Sequence, residues 1–418
     1  MPYSRRARGR LFLGCSAIAV YSLPSLAWAD CTPDPTIASQ ITICSATDSN
    51  GLTVPTLLTQ VQVQPGALVQ PGANPASIVV SNSATLSVDG LIDGGSGDGL
   101  LITNGAPYQT YVPYDPYAGA APNYNAPSGY LTLYPGTYAY LNVGNTGVVT
   151  GATAIRVKQR SDNPTGFSHL SVQNFGAITS TLGPAIIAES GASTDVTNYI
   201  GGTIGGISVS LGSVSNGGLI DGGNLSAIDS GAFSIISNTG IIRSSSNSAT
   251  ILLGNNGSIG NNGAIENTGM GPTITATGPL WVYNYTNGSI SAQGGTAITT
   301  SGSLILSNQG SISGAIDAHL ATINATIDTT GGMINGDIRL GSGDDLLAGG
   351  LLDITSGTFT NITGVVDGGA GLDTVKVSLA SSGTLDAVAL PTNFEKMQLA
   401  LVNEAAITGE SKPTSKVV

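Results

Sequence analysis

Apolar residues in this chain come in short bursts separated by glycine and asparagine, without the long stripes of an amphipathic helix. One phrase organises the middle of the sequence: Asn, any residue, Gly, any residue, then Ile or Val. It appears as Asn145-Thr146-Gly147-Val148-Val149, Asn174-Phe175-Gly176-Ala177-Ile178 and Asn216-Gly217-Gly218-Leu219-Ile220. It returns as Asn238-Thr239-Gly240-Ile241-Ile242, Asn261-Asn262-Gly263-Ala264-Ile265 and Asn308-Gln309-Gly310-Ser311-Ile312. A shortened copy, Asn287-Gly288-Ser289-Ile290, and a stretched one around Asn198 and Ile204 fill the gaps. The phrase glycines from Gly176 to Gly310 follow one another at steps of roughly 16–26 residues. A second phrase runs out of phase with the first, as Ala154-Ile155, Ala185-Ile186, Ala227-Ile228 and Ala297-Ile298.

Several short strands per repeat of twenty-odd residues predict an all-β chain folded as a right-handed parallel β-helix, a solenoid of short-strand rungs with Asn/Gly turns. A single rung cannot bury its own Ile, Val, Leu and Ala side chains. Rungs stacked about 4.8 Å apart pair every backbone and close the core. Asn tolerates left-handed backbone and Gly takes it freely, so the Asn-x-Gly segments are expected to turn the chain between faces. Asn stacked on Asn would add a side-chain amide ladder that holds register. The leucine-rich pattern and a recurring Trp-Asp signature are both absent, and no helical stretch is evident before about residue 383.

Composition changes the picture in three ways. With 59 glycines and only 9% charged residues the chain resembles a disordered one, but 41% hydrophobic content rich in aliphatic and β-branched residues argues for packed β structure. Residues 1–29 read as a secretory signal peptide: Arg5, Arg6, Arg8 and Arg10, an apolar stretch from Leu11 to about Leu26, then Ala27-Trp28-Ala29. Removing them takes four of the 13 basic residues and none of the 25 acidic ones, leaving 9 against 25. A chain that acidic is a poor partner for nucleic acid or an anionic membrane, and nothing after residue 29 is long and apolar enough to span a bilayer. Cys31 and Cys44 then form an even pair in an oxidising compartment, expected as a disulfide stapling an N-terminal cap. The expected organisation is the signal peptide, a cap and first rungs over 30–105, a Tyr/Pro-rich excursion over 106–140, β-helix repeats over 141–382, and a cap or tail over 383–418.

The signal peptide, early Cys pair, Asn-x-Gly-x-Ile rungs and the closing run Asn335-Gly336-Asp337-Ile338-Arg339-Leu340-Gly341-Ser342-Gly343-Asp344-Asp345 together resemble autotransporter passenger domains, as does the later Asn393-Phe394-Glu395-Lys396-Met397-Gln398-Leu399. That resemblance spans about 31–400 and implies a β-helix at the surface of a Gram-negative bacterium, or released from it. Such passengers commonly serve adhesion, aggregation or effector carriage. It also implies a translocator barrel; the residues after Ala400 are too few to build one, so the barrel is expected to be missing or a separate polypeptide.

Candidate chemistry is sparse. The segment 106–140 holds nine of the 14 tyrosines and six prolines. Tyr108, Tyr111, Tyr114 and Tyr117 are candidate contacts for a cell-surface glycan or protein, and the prolines are expected to keep the segment out of regular pairing. Arg156, Lys158 and Arg160 alternate as if on one strand face, a candidate anion site. Gly368-Gly369-Ala370-Gly371-Leu372-Asp373 and Gly341-Ser342-Gly343-Asp344-Asp345 match a glycine-rich calcium-binding repeat, making Asp344, Asp345 and Asp373 candidate ligands; no other cofactor is indicated. His169 and His319 stand alone, and no Gly-x-Ser-x-Gly elbow is present, so the chain is not expected to be an enzyme. The alternatives are a carbohydrate-active β-helix enzyme and a calcium-stabilised secreted solenoid.

Overall fold

The computed structural model describes residues 31–112, 129–232 apart from 134, 234–379 apart from 354, 355 and 357, 391–400 and 416–417. These residues are all β, without a helix, and their parallel strands stack into a β-helix of roughly fourteen turns. Each full coil contributes three strands, one to each of three parallel ladders that form the faces of a prism. The first face runs from Ile41–Cys44 through strands such as Ser168–Asn174 and Gly257–Asn261 to Lys396–Ala400. The second includes Leu91–Asp93, Ala177–Ser180 and Ile241–Ser244, and the third Asp98–Thr103, Ile186–Ala188 and Ile251–Asn255.

The two sequence phrases mark two of these faces. The final Ile or Val of the Asn-x-Gly phrase forms one inward column on the second face, with Val149, Ile178, Ile204, Ile220, Ile242 and Ile265 in direct register. The Ala-Ile phrase forms the third face, where Ile155, Ile186, Ile207, Ile228 and Ile251 stack in turn. All of these side chains are buried. At about 2–3 kcal/mol for each aliphatic side chain removed from water, the columns are the main force holding coil to coil.

The phrase asparagines form the expected ladder, and it is buried at the corner between first and second faces. The Asn174 amide Nδ2 donates to Oδ1 of Asn198 at 2.8 Å, and the pattern repeats through Asn216, Asn238, Asn261, Asn284 and Asn308 at 2.8–2.9 Å. Asn308 closes the row by donating to the Thr329 hydroxyl at 3.2 Å. Two phrase positions fall outside it. Asn145 is exposed, and Val143 occupies its rung, paired with Asn174. In the shortened copy the ladder residue is Asn284, not Asn287. Both turns carry two extra residues between ladder position and next strand, so a fixed spacing picks the wrong asparagine.

The phrase glycines are needed for a reason other than the one expected. Gly176, Gly218, Gly240, Gly263 and Gly310 do not have left-handed backbones, and neither do the ladder asparagines. A Cβ on Gly240 would instead sit 2.2 Å from the Gly218 carbonyl oxygen of the preceding coil, and one on Gly263 would sit 2.2 Å from that of Gly240. The turn carries only hydrogen on that side because neighbouring backbones touch there.

At the N-terminal end Cys31–Thr32 lies antiparallel across Ile43–Cys44, and Cys31 and Cys44 are disulfide-bonded, 13 residues apart. This strand covers the first-face edge of the first coil, as a cap should. Reducing the bond is expected to loosen this cap by up to about 3 kcal/mol. Amide exchange should quicken over residues 31–63 while the coils from Asn174 onward keep their protection, because each coil leans only on its neighbours.

The excursion leaves the prism after Thr103 and the coil resumes at Thr137, whose strand Thr137–Val143 belongs to the first face. Part of it does pair regularly, against expectation: Tyr108–Val112 and Gly129–Leu133 form an antiparallel hairpin. The prolines flank these strands and lie in neither, so no ladder hydrogen bond is lost. Two buried asparagines clamp its root. Asn104 donates to the carbonyls of Asn163 (2.7 Å) and Gly166 (3.2 Å) and accepts from the Arg160 amide (2.6 Å). Asn163 donates to the carbonyls of Gly105 (2.8 Å) and Pro135 (3.1 Å). No helix among the described residues is long and apolar enough to cross a membrane.

Candidate functional site

Strand alternation puts every second residue of the first face in solvent. Just beyond the hairpin root this outer surface becomes aromatic. Tyr138, Tyr140 and Phe167 are 49%, 56% and 41% exposed. The Tyr138 and Phe167 rings meet edge to face at 4.7 Å, an arrangement that fixes both. Beside them the His169 ring lies 6.0 Å from that of Tyr138. One corner further on, Phe175 and Tyr199 of successive coils stack at 4.2 Å with rings nearly parallel.

A polar row borders the aromatic group. His169 Nδ1 is hydrogen-bonded to the Ser193 hydroxyl at 2.8 Å, and its Nε2 lies 3.7 Å from Asp195. Asp195 in turn accepts from the backbone amide (3.0 Å) and hydroxyl (2.6 Å) of Ser213. These residues belong to three successive first-face strands, which bring His169 beside Ser193 and Ser171 beside Asp195. The sequence reading left His169 alone because its partners are one coil away. A search for polar residues about one repeat length apart would have found them.

The residues anticipated from sequence fall in separate places. Tyr108 and Tyr111 lie on the hairpin, with Tyr111 opposite Tyr130; Tyr114 and Tyr117 lie outside the described residues. Arg156 and Lys158 share the outer side of Thr153–Lys158, but Arg160 lies past the strand end. The guanidinium of Arg156 is held by Asp98 (2.8 Å) and Glu189 (3.0 Å), one coil to either side, and the hydrogen bond to Asp98 is the main cause that raises its pKa. Arg160 makes a two-pronged bond to Asp162 at 2.8 and 2.7 Å. Two of the three cations of the anion-site reading are therefore already answered by carboxylates. Asp345 and Asp373 stack on one another far from this surface, near the C-terminal end of the prism, whereas Asp344 points outward. Among the described residues no three acidic, His or Cys side chains converge as a metal site.

The fold places this chain in the class of parallel β-helices. No family model, curated protein or solved structure matches it.

Proposed function

We propose that the chain is an exported β-helical module acting by adhesion, with the aromatic surface at Tyr138, Tyr140 and Phe167 and the adjoining hairpin contacting a glycan or protein at a cell surface. The observation that carries this reading is a pair of exposed tyrosines on a strand paired on both sides, with a phenylalanine packed edge-on against one of them, next to polar groups able to bond hydroxyls. Exposed aromatic rings have apolar faces that suit the C–H faces of sugars. The Cys31–Cys44 disulfide, the signal-like start and the acidic balance support export, and the resemblance to autotransporter passengers supports display at the outer surface.

Purified wild-type protein is expected to bind members of a broad glycan and cell panel, and the Tyr138→Ala/Tyr140→Ala double variant to bind at least about tenfold more weakly, the equivalent of 1.4 kcal/mol. Absence of wild-type binding across the panel rejects adhesion. Undiminished binding by the variant moves the contact elsewhere.

A hydrolytic reading draws on one observation, the hydrogen bond between His169 and Ser193 beside Asp195. Against it, the strands carrying these residues are paired on both sides, which commits the nearby amides that an oxyanion would need. Polysaccharide degradation by the purified protein, lost in Ser193→Ala, would replace the adhesive reading.

A further inference from the structure

Near the C-terminal end the third-to-first-face corner changes character. The strands Thr326–Asp328, Leu346–Asp353, Thr374–Leu379 and Lys396–Ala400 pair in register. The residues just before them therefore stack as Ala325, Asp345, Asp373 and Glu395, one per coil. Each carboxylate accepts the backbone amide of the coil before it: Ala325 to Asp345 at 2.6 Å, Asp345 to Asp373 at 2.7 Å, and Asp373 to Glu395 at 2.8 Å.

These bonds use one oxygen of each aspartate. Asp345 is 2% exposed and Asp373 0%, and the Oδ2 atom of each is buried with no hydrogen-bond partner. No ion pair to either is found among the described residues. Two carboxylates one coil apart, both desolvated and each with an idle oxygen, repel each other unless something positive lies between or beside them. Burial pushes Asp373 up to about 6 and raises Asp345 as well.

The surroundings supply further oxygen atoms. A Cβ on Gly368 would fall 2.2 Å from the Asn393 carbonyl oxygen and 2.9 Å from Asp373 Oδ2, so that carbonyl and the idle carboxylate oxygen both lie close against the Gly368 backbone. The two idle atoms and the Asn393 carbonyl are all oxygen donors. That set suits a hard cation with flexible coordination, which favours calcium over the smaller, strictly octahedral magnesium. Since no group of three acidic, His or Cys side chains is found among the described residues, carbonyl groups and water would complete the shell.

We propose that Asp345 and Asp373 bind a calcium ion at this corner, joining the last coils of the β-helix. Asp344 is not part of the site, because it faces solvent and accepts the Leu372 amide at 2.9 Å.

The test is calorimetric titration of the full chain with calcium or magnesium at neutral pH, alongside thermal unfolding in chelator and in millimolar calcium. The expected result is saturable calcium binding, weaker magnesium binding, and an unfolding temperature several degrees higher with calcium. Asp345→Asn/Asp373→Asn should stay folded without calcium, because it removes the buried charge, and should lose the calcium response. Asp93→Asn, at the half-buried end of a second-face strand far from this corner, should keep it. Absence of calcium binding by the wild type overturns the proposal; if unfolding temperature then rises on acidification, protons neutralise the pair. A calcium response that survives in the double variant overturns it too, by placing the ion elsewhere.

Discussion

Gly240→Ala is expected to destabilise the middle coils by about 3 kcal/mol, the upper range for forcing atoms into a packed interior. On backbone grounds alone the substitution should help slightly, since alanine reduces the entropy of the unfolded chain and Gly240 has no left-handed backbone. The opposing effect is contact. The new methyl would lie 2.2 Å from the Gly218 carbonyl oxygen and 2.7 Å from the carbonyl carbon of Gly217, both main-chain atoms that cannot rotate away. Relief requires the two coils to separate, which weakens the backbone ladder and the isoleucine columns on either side. Gly183 provides the comparison, because a Cβ there would meet nothing within 4 Å and its backbone is not left-handed. Gly183→Ala should leave the urea midpoint unchanged or slightly raised. Equal effects at the two positions would refute the close-approach account.

The second large effect is expected at Asn238. Its Nδ2 donates to Asn261 Oδ1 (2.8 Å) and to the Ala264 carbonyl (3.1 Å), and its Oδ1 accepts from Asn216 at 2.8 Å. Alanine at 238 removes the acceptor of a buried N–H on Asn216 and leaves buried Asn261 Oδ1 with only the 3.3 Å bond from the Gly263 amide, each loss costing about 1–3 kcal/mol unless water enters, and it also frees the half-buried Ala264 carbonyl. A total loss of about 3–5 kcal/mol is the expected outcome. Asn174→Ala should cost less. Asn174 heads the row and its own Oδ1 is buried without a partner, so its removal orphans no donor above it. Urea unfolding of both variants decides the matter, and a loss at Asn174 equal to that at Asn238 would mean the asparagines act singly and not as a ladder.

These two positions also show what the sequence made legible. The fold could be read from Ile178, Ile220, Ile242 and their equivalents, because a residue on a parallel ladder must recur once per coil to cover the one before it. The Asn ladder was legible for the same reason. Its membership at Asn284 and its start at Asn174 were not, since turn length varies between coils while a phrase has fixed spacing. The reason for Gly240 was hidden because a glycine in a turn suggests positive φ, and a steric contact with the previous coil leaves no mark in local sequence. The hairpin was obscured by its prolines, which proved to border the strands. The candidate surface was least visible. His169, Ser193 and Asp195 become neighbours only when strands 24 residues apart are set side by side. Glu395 joins the acidic column in the same way, 22 residues after Asp373.

The amide row has a direction as well as a length. From Asn174 to Asn308 each side chain donates towards the C-terminal end, and the second N–H of each is spent on a backbone carbonyl beside it. No member can turn over alone, because lone pair would then face lone pair on one side and hydrogen face hydrogen on the other. The asparagines therefore stand like dominoes, set one way along the axis. Their aligned dipoles give the prism an electrical head and tail that its amino-acid composition would not suggest.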